Sequence, residues 1–565
     1  MKQIYLLALC ALFFVGCSQS FLDTEELTKK TGSNFPGTEE EANQALVGAY
    51  SILPSFAGTD NILLISELMS DDRFGGGGQN DREPQAMNVF RVTNDNQYNS
   101  CWATYYKGIY RCNSLLSTIG NAKFTSEDSK KKIIGETSFL RAYFYFDLAR
   151  LFGQVPLVLT AEPVNLPKAT PEEIYGQIAL DLKTAIEDLP AKPLTTENMG
   201  RATKWAAEGI MARMFLFYTG YYNKTEIALP GGGTITKQNV IDWVDDCIAH
   251  SGHSLVGDFR NQWPYSIAQD SYGYAKANKL VWVGETGANK ENIFQINFNF
   301  IKSSVWGEKN YYCNKINLFF GLRNAEAQIP FGHGWGMGPV NPKFYEEWPN
   351  DDIRKQGSIW KVDDTSEGTD TFVWGADMMW QETGYIAKKY IPINVLNGGK
   401  KQNYSVKLYG ADDDFSLNNT QNVVVLRLAD VMLMGAELGS KYAQKYFDDV
   451  RGRVGLTSVP VNLDNIMKER RYELAFEGIR YFDMLRWYGK EAGVQLKKNM
   501  TGAKIFNMKV PSTINADRNN GYFDQIDARV KATGGFLMIP NNQIQLSKGV
   551  LVQNPGYTNS SDYIF

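Results

Sequence analysis

The sequence is poor in the residues that most enzymes use for proton and metal chemistry. It has three histidines in 565 residues, His250, His253 and His333. His250 and His253 stand three apart, but no cysteine, acid or third histidine completes a zinc-ligand spacing beside them, so the pair reads as chance. There is no G-x-S-x-G elbow, no P-loop and no H-E-x-x-H. Charge of either sign is also scarce in net terms. Against 62 acidic side chains stand 58 basic ones, a net charge of −4, which gives no basic field to hold nucleic acid or an anionic membrane. After the first residues no apolar run is long enough to span a bilayer. "GGGG" at 75–78 joins no strand to a helix in the dinucleotide pattern and reads as a flexible loop beside ligand contacts. "DDTSEGTD" at 363–370 lacks the closing glutamate of a calcium loop and reads as a solvated acidic turn.

What the chain has is apolar and aromatic mass: 43% hydrophobic residues, with 30 Tyr, 31 Phe and 12 Trp. Its length argues for more than one structural unit. The N-terminus, "MKQIYLLALCALFFVGC", carries one lysine, an apolar run from Ile4 to Val15, then Gly16 and Cys17. The run fits a signal-peptide core, and cleavage before Cys17 resembles a bacterial lipoprotein signal, with Cys17 acylated. A plain secretory signal cut elsewhere is the alternative. Several acyl chains on one residue anchor stably, at roughly 0.8 kcal/mol per buried methylene. The reading is a soluble body tethered by lipid in an oxidising compartment. Of the remaining cysteines, Cys101 and Cys112 lie on one expected helix about 16 Å apart, too far for a disulfide. With Cys247 and Cys313 they are expected as buried thiols.

Helical periodicity dominates the first half. "EEEANQALVGAYSIL" starts behind Thr38, "ETSFLRAYFYFDLARLFG" stops at Gly153, and "TPEEIYGQIALDLKTAIEDLP" opens on a Thr cap with Pro in its first turn. "CWATYYKGIYRCNSLLSTI" and "TKWAAEGIMARMFLFYTGYY" complete the set. At about 30–40 residues per pair these resemble degenerate tetratricopeptide-type hairpins; a generic helical bundle fits the periodicity equally. From about Leu255 to Ser416 Gly, Asn, Trp and Tyr rise and helical periodicity fades. "KLVWVGE" and "NIFQINFNF" alternate like short strands, and "FGHGWGMGPVNPKFYEEWPNDDIRK" reads as a loop before a short helix. Helices return at "VVVLRLADVMLMGAELG". The ending "GGFLMIPNNQIQLSKGVLVQNPGY" reads as a strand, a turn and an extended tail.

"ERRYELAFEGIRYFDMLRW", residues 469–487, sets a sharper question. Read as one helix, it places Glu473 and Glu477 at i and i+4, about 5–6 Å apart at Cβ, a separation that suits a retaining glycosidase. Such an enzyme keeps one acid neutral in an apolar pocket. Here four arginines accompany the acids, and nearby guanidinium favours the ionised carboxylate. The stretch is therefore expected to be a buried structural ion-pair network.

Ligand contacts are then expected from aromatic and polar loops, because a flat indole or phenol covers the C–H face of a sugar and amides satisfy its hydroxyls. The irregular middle supplies Trp282, Trp306, Tyr311, Tyr312, Trp335, Trp360, Trp374 and Trp380, though most of these can equally be core residues. An earlier loop supplies Asp71, Asp72, Arg73, Gln79, Asn80, Asn94, Asn96 and Tyr98. From these the candidate ligand-binding set is Asp72, Arg73, Asn80, Asn96, Tyr98, Trp306, Tyr311 and Trp335. No catalytic residue, metal ligand or cofactor is expected.

Several separate stretches, in order, resemble the SusD/RagB family of lipoproteins: Cys17 with "FLDTEE" behind it, "SELMSDD", "NSCWATYYKGIYRCNSLL", "GETSFLRAYFYFDLARLFGQVPLV", "RLADVMLMGAEL", "DDVRGRVGL", "IMKERRYELAFEGIRYFDMLRW" and "LMIPNNQIQLSKGVLVQNPGY". One departure is the connection "GAELGSKYAQKYFDDVR", which is short and lacks the family's usual Asn. The resemblance implies a mainly α fold, a tetratricopeptide-like helical-hairpin scaffold with an irregular mixed α/β region that carries the ligand site. It implies a signal peptide at 1–16, an N-terminal helical region at 17–250 and a C-terminal region at 251–565, packed as one body. It further implies a non-enzymatic, lipid-anchored protein on the surface of the outer membrane. Such a protein binds oligosaccharides, or alternatively peptides, and passes them to a SusC-type TonB-dependent transporter packed on its helical face. Loops around 71–99 and 280–380 would line the groove.

Overall fold

The structure is a computed structural model that describes residues 35–55, 61–195, 199–284, 289–300, 313–323, 326–375, 379–505, 521–557 and 563–565. Cys17 with its signal, Trp306, Tyr311 and Tyr312 lie outside the described residues.

Local capping sets the first helices. Thr38 Oγ1 accepts from the Glu41 amide (3.2 Å) to open α1, Glu39–Tyr50. Next come α2 (Ile62–Leu68), α3 (Arg82–Asn88) and α4 (Asn99–Thr118). Ser126 and Ser129 form a reciprocal capping box at the start of α5, Glu127–Phe152. Thr170 and Glu173 do the same for α6, Pro171–Asp188. Such caps satisfy amides that have no partner inside the helix. Then follow α7 (Lys204–Tyr221) and α8 (Lys237–His250). Each helix from α4 to α8 packs on the next, so the scaffold is a run of helix pairs. The second half of α5 is buried nearly all round, as befits a helix flanked on every side.

Among the described residues, the middle of the chain forms four separate two-stranded antiparallel ribbons. β1 (Glu226–Ala228) pairs with β2 (Thr234–Thr236), and β3 (Asn292–Ile296) with β8 (Val423–Arg427). β4 (Ile359–Lys361) pairs with β5 (Tyr385–Ala387), and β6 (Asn394–Asn397) with β7 (Lys400–Asn403). "NIFQINFNF" thus supplies β3. "KLVWVGE" does not form a strand; Val281 stands 60% exposed, so its alternation has no sheet to face. Short helices punctuate this region: α9 (Gly273–Ala277), α10 (Lys315–Phe320), α11 (Pro342–Glu347), α12 (Ile353–Ser358) and α13 (Tyr404–Tyr409).

The C-terminal part returns to helices: α14 (Leu428–Leu438), α15 (Ala443–Gly452), α16 (Leu463–Glu473), α17 (Arg480–Tyr488), α18 (Ala492–Met500) and α19 (Ile526–Thr533). The single helix expected across 469–487 is two. It breaks after Glu473, where Phe476 (φ 66°) and Gly478 (φ 73°) take left-handed conformations; a bulky residue there is strained. The ending differs too. Residues 536–540 form no strand, although Leu537 N donates to Leu151 O (2.8 Å) and Ile539 N to Gln553 Oε1 (2.8 Å), and 541–546 form a helix, α20 (Asn541–Leu546), instead of a turn.

One apolar core runs through both halves. Phe146 of α5, Phe217 of α7 and Phe482 of α17 meet edge to face, with ring centroids 6.2 and 6.3 Å apart. Cys101, Cys112, Cys247 and Cys313 are all buried. Among the described residues no helix is long and apolar enough to cross a membrane.

Candidate functional site

"FGHGWGMG", residues 331–338, places glycine at every second position, and this pattern builds the floor of the site. Residues 331–340 form a strip, turned at left-handed Gly336 (φ 68°) and Gly338 (φ 67°), that bridges four neighbours: Phe331 to Ile393, His333 to Leu322, Met337 to Gly76 and Val340 to Arg73. One edge is held by Trp335 N→Leu318 O, Gly336 N→Gly321 O and Met337 N→Phe319 O, each 2.8 Å, and the other by Gly77 N→Gly336 O at 2.8 Å. The glycines allow this closeness. A Cβ on Gly334 would stand 2.3 Å from Leu318 O and 2.4 Å from Gly321 Cα. Alternation then sends the intervening side chains the other way. Phe331 and Met337 are buried at the ends, while His333 and Trp335 remain part-exposed between them.

The GGGG segment is a partner of this strip and not a flexible loop. Residues 75–78 are buried. Gly76 N donates to Gln381 Oε1 (2.9 Å) and Gly78 N to Asp81 Oδ2 (2.6 Å). Around Trp335 the structure gathers groups that its sequence position does not announce. Its ring packs on Phe319 at 5.1 Å. Arg323 donates to Trp335 O (3.2 Å) and pairs with Asp81 (3.0 Å). Gln79 and Asn80 stand exposed next to Asp81, and Trp380 N donates to Gly77 O (2.7 Å).

Behind this face a small cavity is lined by Phe320, Arg323, Met337, Phe372, Met379 and Glu382. Burial pushes the Glu382 carboxyl up to about 7, opposed only by a hydrogen bond from Gly375 N. The native state therefore holds a proton that the unfolded chain releases near its ordinary value of 4.5. The associated stabilisation is complete below that value and is lost as pH rises through about 7. Glu382→Gln is expected to gain stability relative to wild type as pH goes from 5 to 8. Paired urea titrations across that range check it; a constant difference between the two proteins contradicts the buried, protonated carboxyl.

The candidate residues separate on burial. Trp335 lies on the strip, and Asn80 is exposed next to Asp81, the partner of Arg323. Asp72, Arg73 and Tyr98, expected on a ligand-facing loop, are instead interior. Asp72 is 1% exposed and pairs with Arg471 at 2.7 Å. Arg73 pairs with Glu67 (2.8 Å) and lies between the rings of Phe320 (4.0 Å) and Phe476 (4.6 Å). Tyr98 packs edge-on against Phe152. Asn96 is half-buried and joins its turn to α20, accepting from Asn542 N at 2.8 Å. Trp360 is core, as its period-two strand position allows, and Trp282 packs on Tyr404. Arg323, Asp81 and Glu382 were not singled out by the sequence reading; the alternation in FGHGWGMG was the available signal.

The acid–arginine stretch is scaffold. Glu473 is fully buried and bonds Arg427 (2.5 Å), Arg354 (2.9 Å) and Arg453. Burial alone would raise its carboxyl, but Arg453, Arg427 and Arg354 outweigh that and hold it well below the usual carboxylate range. Glu477, 7% exposed, pairs with Lys389 (2.6 Å) and Arg427 (2.7 Å). Glu469 and Glu291 join the same cluster through Arg354, Arg451, Arg427 and Arg453. Every acid of the cluster meets a guanidinium or an ammonium group. His250 bonds Asp246 (2.7 Å) while His253 bonds Lys290 O (2.9 Å), so the two are held apart. Glu367, within the expected acidic turn, is buried on Lys388 (2.7 Å) and is not solvated.

Two family models match this chain: "Starch-binding associating with outer membrane" over residues 21–216 and "SusD family" over residues 340–557. The chain belongs to the SusD/RagB family. Among curated SusD-like proteins, one from Bacteroides ovatus is 24% identical, matching over 86% of this chain and 82% of its own. SusD-like protein P2 from Formosa agariphila is 23% identical over 97% and 98%. A solved laminarin-binding SusD-like protein superposes with a TM-score of 0.69 at 26% identity, over 92% of this chain and 100% of that one. Surface glycan-binding protein A from Bacteroides thetaiotaomicron, in complex with laminarihexaose, gives 0.68 at 22% identity, over 92% and 99%. In this SusD/RagB member the helix pairs are the scaffold, and the strip with its neighbours lies in the irregular region.

Proposed function

We propose that this SusD/RagB protein binds an oligosaccharide on the face that carries Trp335, and does so without catalysis. The observation that carries the reading is the indole of Trp335, backed by Phe319 and flanked by the Arg323–Asp81 pair and the exposed Gln79 and Asn80 amides. A fixed indole covers the apolar face of a sugar at little entropic cost, and amides and a guanidinium satisfy its hydroxyls. Asn80 and Trp335 are retained as ligand contacts, with Trp306 and Tyr311 as further candidates. Similar proteins that bind laminarin or laminarihexaose support a glycan as the ligand. Each hydroxyl exchanges water for protein at small net gain, so binding is weak. The acids Glu473 and Glu477 contribute no chemistry. Acylated at Cys17, the chain sits on the outer-membrane surface and hands its sugar to a SusC-type TonB-dependent transporter.

Calorimetric titration with laminarihexaose, maltohexaose and cellohexaose tests this. At least one is expected to bind, and Trp335→Ala to weaken it about tenfold or more, which corresponds to about 1.4 kcal/mol. Wild-type protein that binds none of the three at millimolar concentration, or that releases reducing ends from them, overturns the reading.

A further inference from the structure

The strip that presents Trp335 presents His333 two residues earlier, and His333 opens on a different cleft. This cleft has a volume of about 200 Å³ and lies where the strip meets β6, β7 and the loop at 411–419. One wall is a stacked pair of rings: His333 and Phe415 lie 3.9 Å apart at an interplanar angle of 15°, and Phe415 is 40% exposed. The facing side is built of amides from Asn394, Gln402, Asn403 and Asn418.

Two features mark this cleft as built for a ligand. The loop that carries Phe415 is fixed at several points. Asp414 Oδ1 accepts from Ser416 N (2.9 Å) and Ser416 Oγ (2.6 Å). Lys315 Nζ donates to Ser416 O (2.7 Å), Ser405 Oγ to Asn418 O (2.6 Å) and Asn314 N to Asn419 O (2.8 Å). A ring held this way loses little freedom on binding. The second feature is Asn418, which is 3% exposed while its side-chain Oδ1 is buried with no hydrogen-bond partner. A buried amide in that condition is costly. In Asn394 only Nδ2 is engaged, donating to Gln328 O (2.9 Å), so its Oδ1 remains as an acceptor at the cleft.

The charge pattern selects the class of ligand. Lys401 is paired with Asp370 (2.8 Å), and Asp413 accepts from Gln402 Nε2 (2.8 Å). Rings, amides and the Asp413 carboxylate remain, the complement of an uncharged polyhydroxylated ring whose hydroxyls donate to them, and not of a sulfate, a uronate or another anion. The two sites are joined by the strip itself. His333 and Trp335 are two residues apart on extended backbone, about 6.6 Å, a step comparable to one sugar unit.

We propose that the His333–Phe415 cleft is a second sugar subsite, which takes a neutral pyranose unit of the oligosaccharide whose other end lies on Trp335. This rests on the glycan reading above. The face is then elongated, and it selects for chain length. A single sugar unit occupies the Trp335 end alone; longer saccharides reach the amide cleft and bind more tightly.

The test titrates laminarihexaose and glucose into wild type, Phe415→Ala, Asn418→Ala and Trp335→Ala, with maltohexaose and cellohexaose alongside. Phe415 is substantially exposed, so its variant should keep the wild-type melting midpoint. Phe415→Ala is expected to weaken the hexasaccharide about tenfold and to leave glucose within about twofold. Asn418→Ala should move the same way, and Trp335→Ala should weaken both lengths. Should Phe415→Ala bind the hexasaccharide as wild type does while Trp335→Ala does not, the second subsite is wrong and the Trp335 reading stands. If wild type binds none of the glucans, both fall together.

Discussion

Glu473→Gln is expected to cost about 3–5 kcal/mol of folding stability. One carboxylate answers Arg354, Arg427 and Arg453 in a fully buried site. An amide keeps the shape but withdraws the charge, and three guanidinium groups are left with too little to offset them. The urea midpoint should fall with its slope unchanged, because the surface exposed on unfolding is the same. The pH dependence has a definite sign. Glu473 is held well below the usual carboxylate range, so its stabilisation is present above that range and is lost as the solution is acidified through the native value. The variant should therefore differ most from wild type near neutrality and converge with it in acid. A midpoint within about 0.5 kcal/mol of wild type, the ordinary range for an inconsequential substitution, removes the structural assignment and reopens a chemical one.

Gly334→Ala is expected to be about as damaging, through sterics. Its Cβ would meet Leu318 O at 2.3 Å and Gly321 Cα at 2.4 Å. Both are main-chain atoms, so relief requires the strip to part from residues 318–322, with loss of Trp335 N→Leu318 O and Gly334 N→Leu322 O. Overpacking of this kind costs about 3 kcal/mol. It also displaces Trp335, so sugar affinity should fall more than tenfold in whatever protein stays folded. Gly257→Ala, with open space around it, is the control and should leave both properties unchanged. Wild-type melting in Gly334→Ala disproves the close approach.

The helical half of the fold was legible in the sequence because helices are encoded locally. Thr38 and Thr170 cap where the pattern places them, and the apolar stripes of α4 to α7 find one another. The ion-pair role of residues 469–487 was legible as well, since four arginines among buried apolar positions leave little else. The break after Glu473 was not. Phe476 tolerates its left-handed backbone because its ring packs against Arg73 and Phe344, partners far away in sequence. The same non-locality hid the site. Asp72 and Arg73 look like loop polars until Arg471 and Glu67 close on them. FGHGWGMG looks like a coil because its order comes from backbone pairing with residues 74–77 and 318–322, and not from a side-chain pattern that standard strand signals describe.

The interior charges also impose an order on synthesis. Glu67 receives the Gly478 amide (2.8 Å), Asp71 the Arg480 fork (2.8 Å) and Asp72 the Arg471 guanidinium (2.7 Å). All three acids precede their partners by some four hundred residues. A nascent or prematurely terminated chain that stops short of residue 470 lacks the guanidinium partners of Asp71 and Asp72 and the Glu473 and Glu477 partners of Arg427, so these charges stay hydrated and the interior stays open. Contacts of such long range form late. Truncated products should consequently stay open to proteases, so that only a completed polypeptide reaches the protected state.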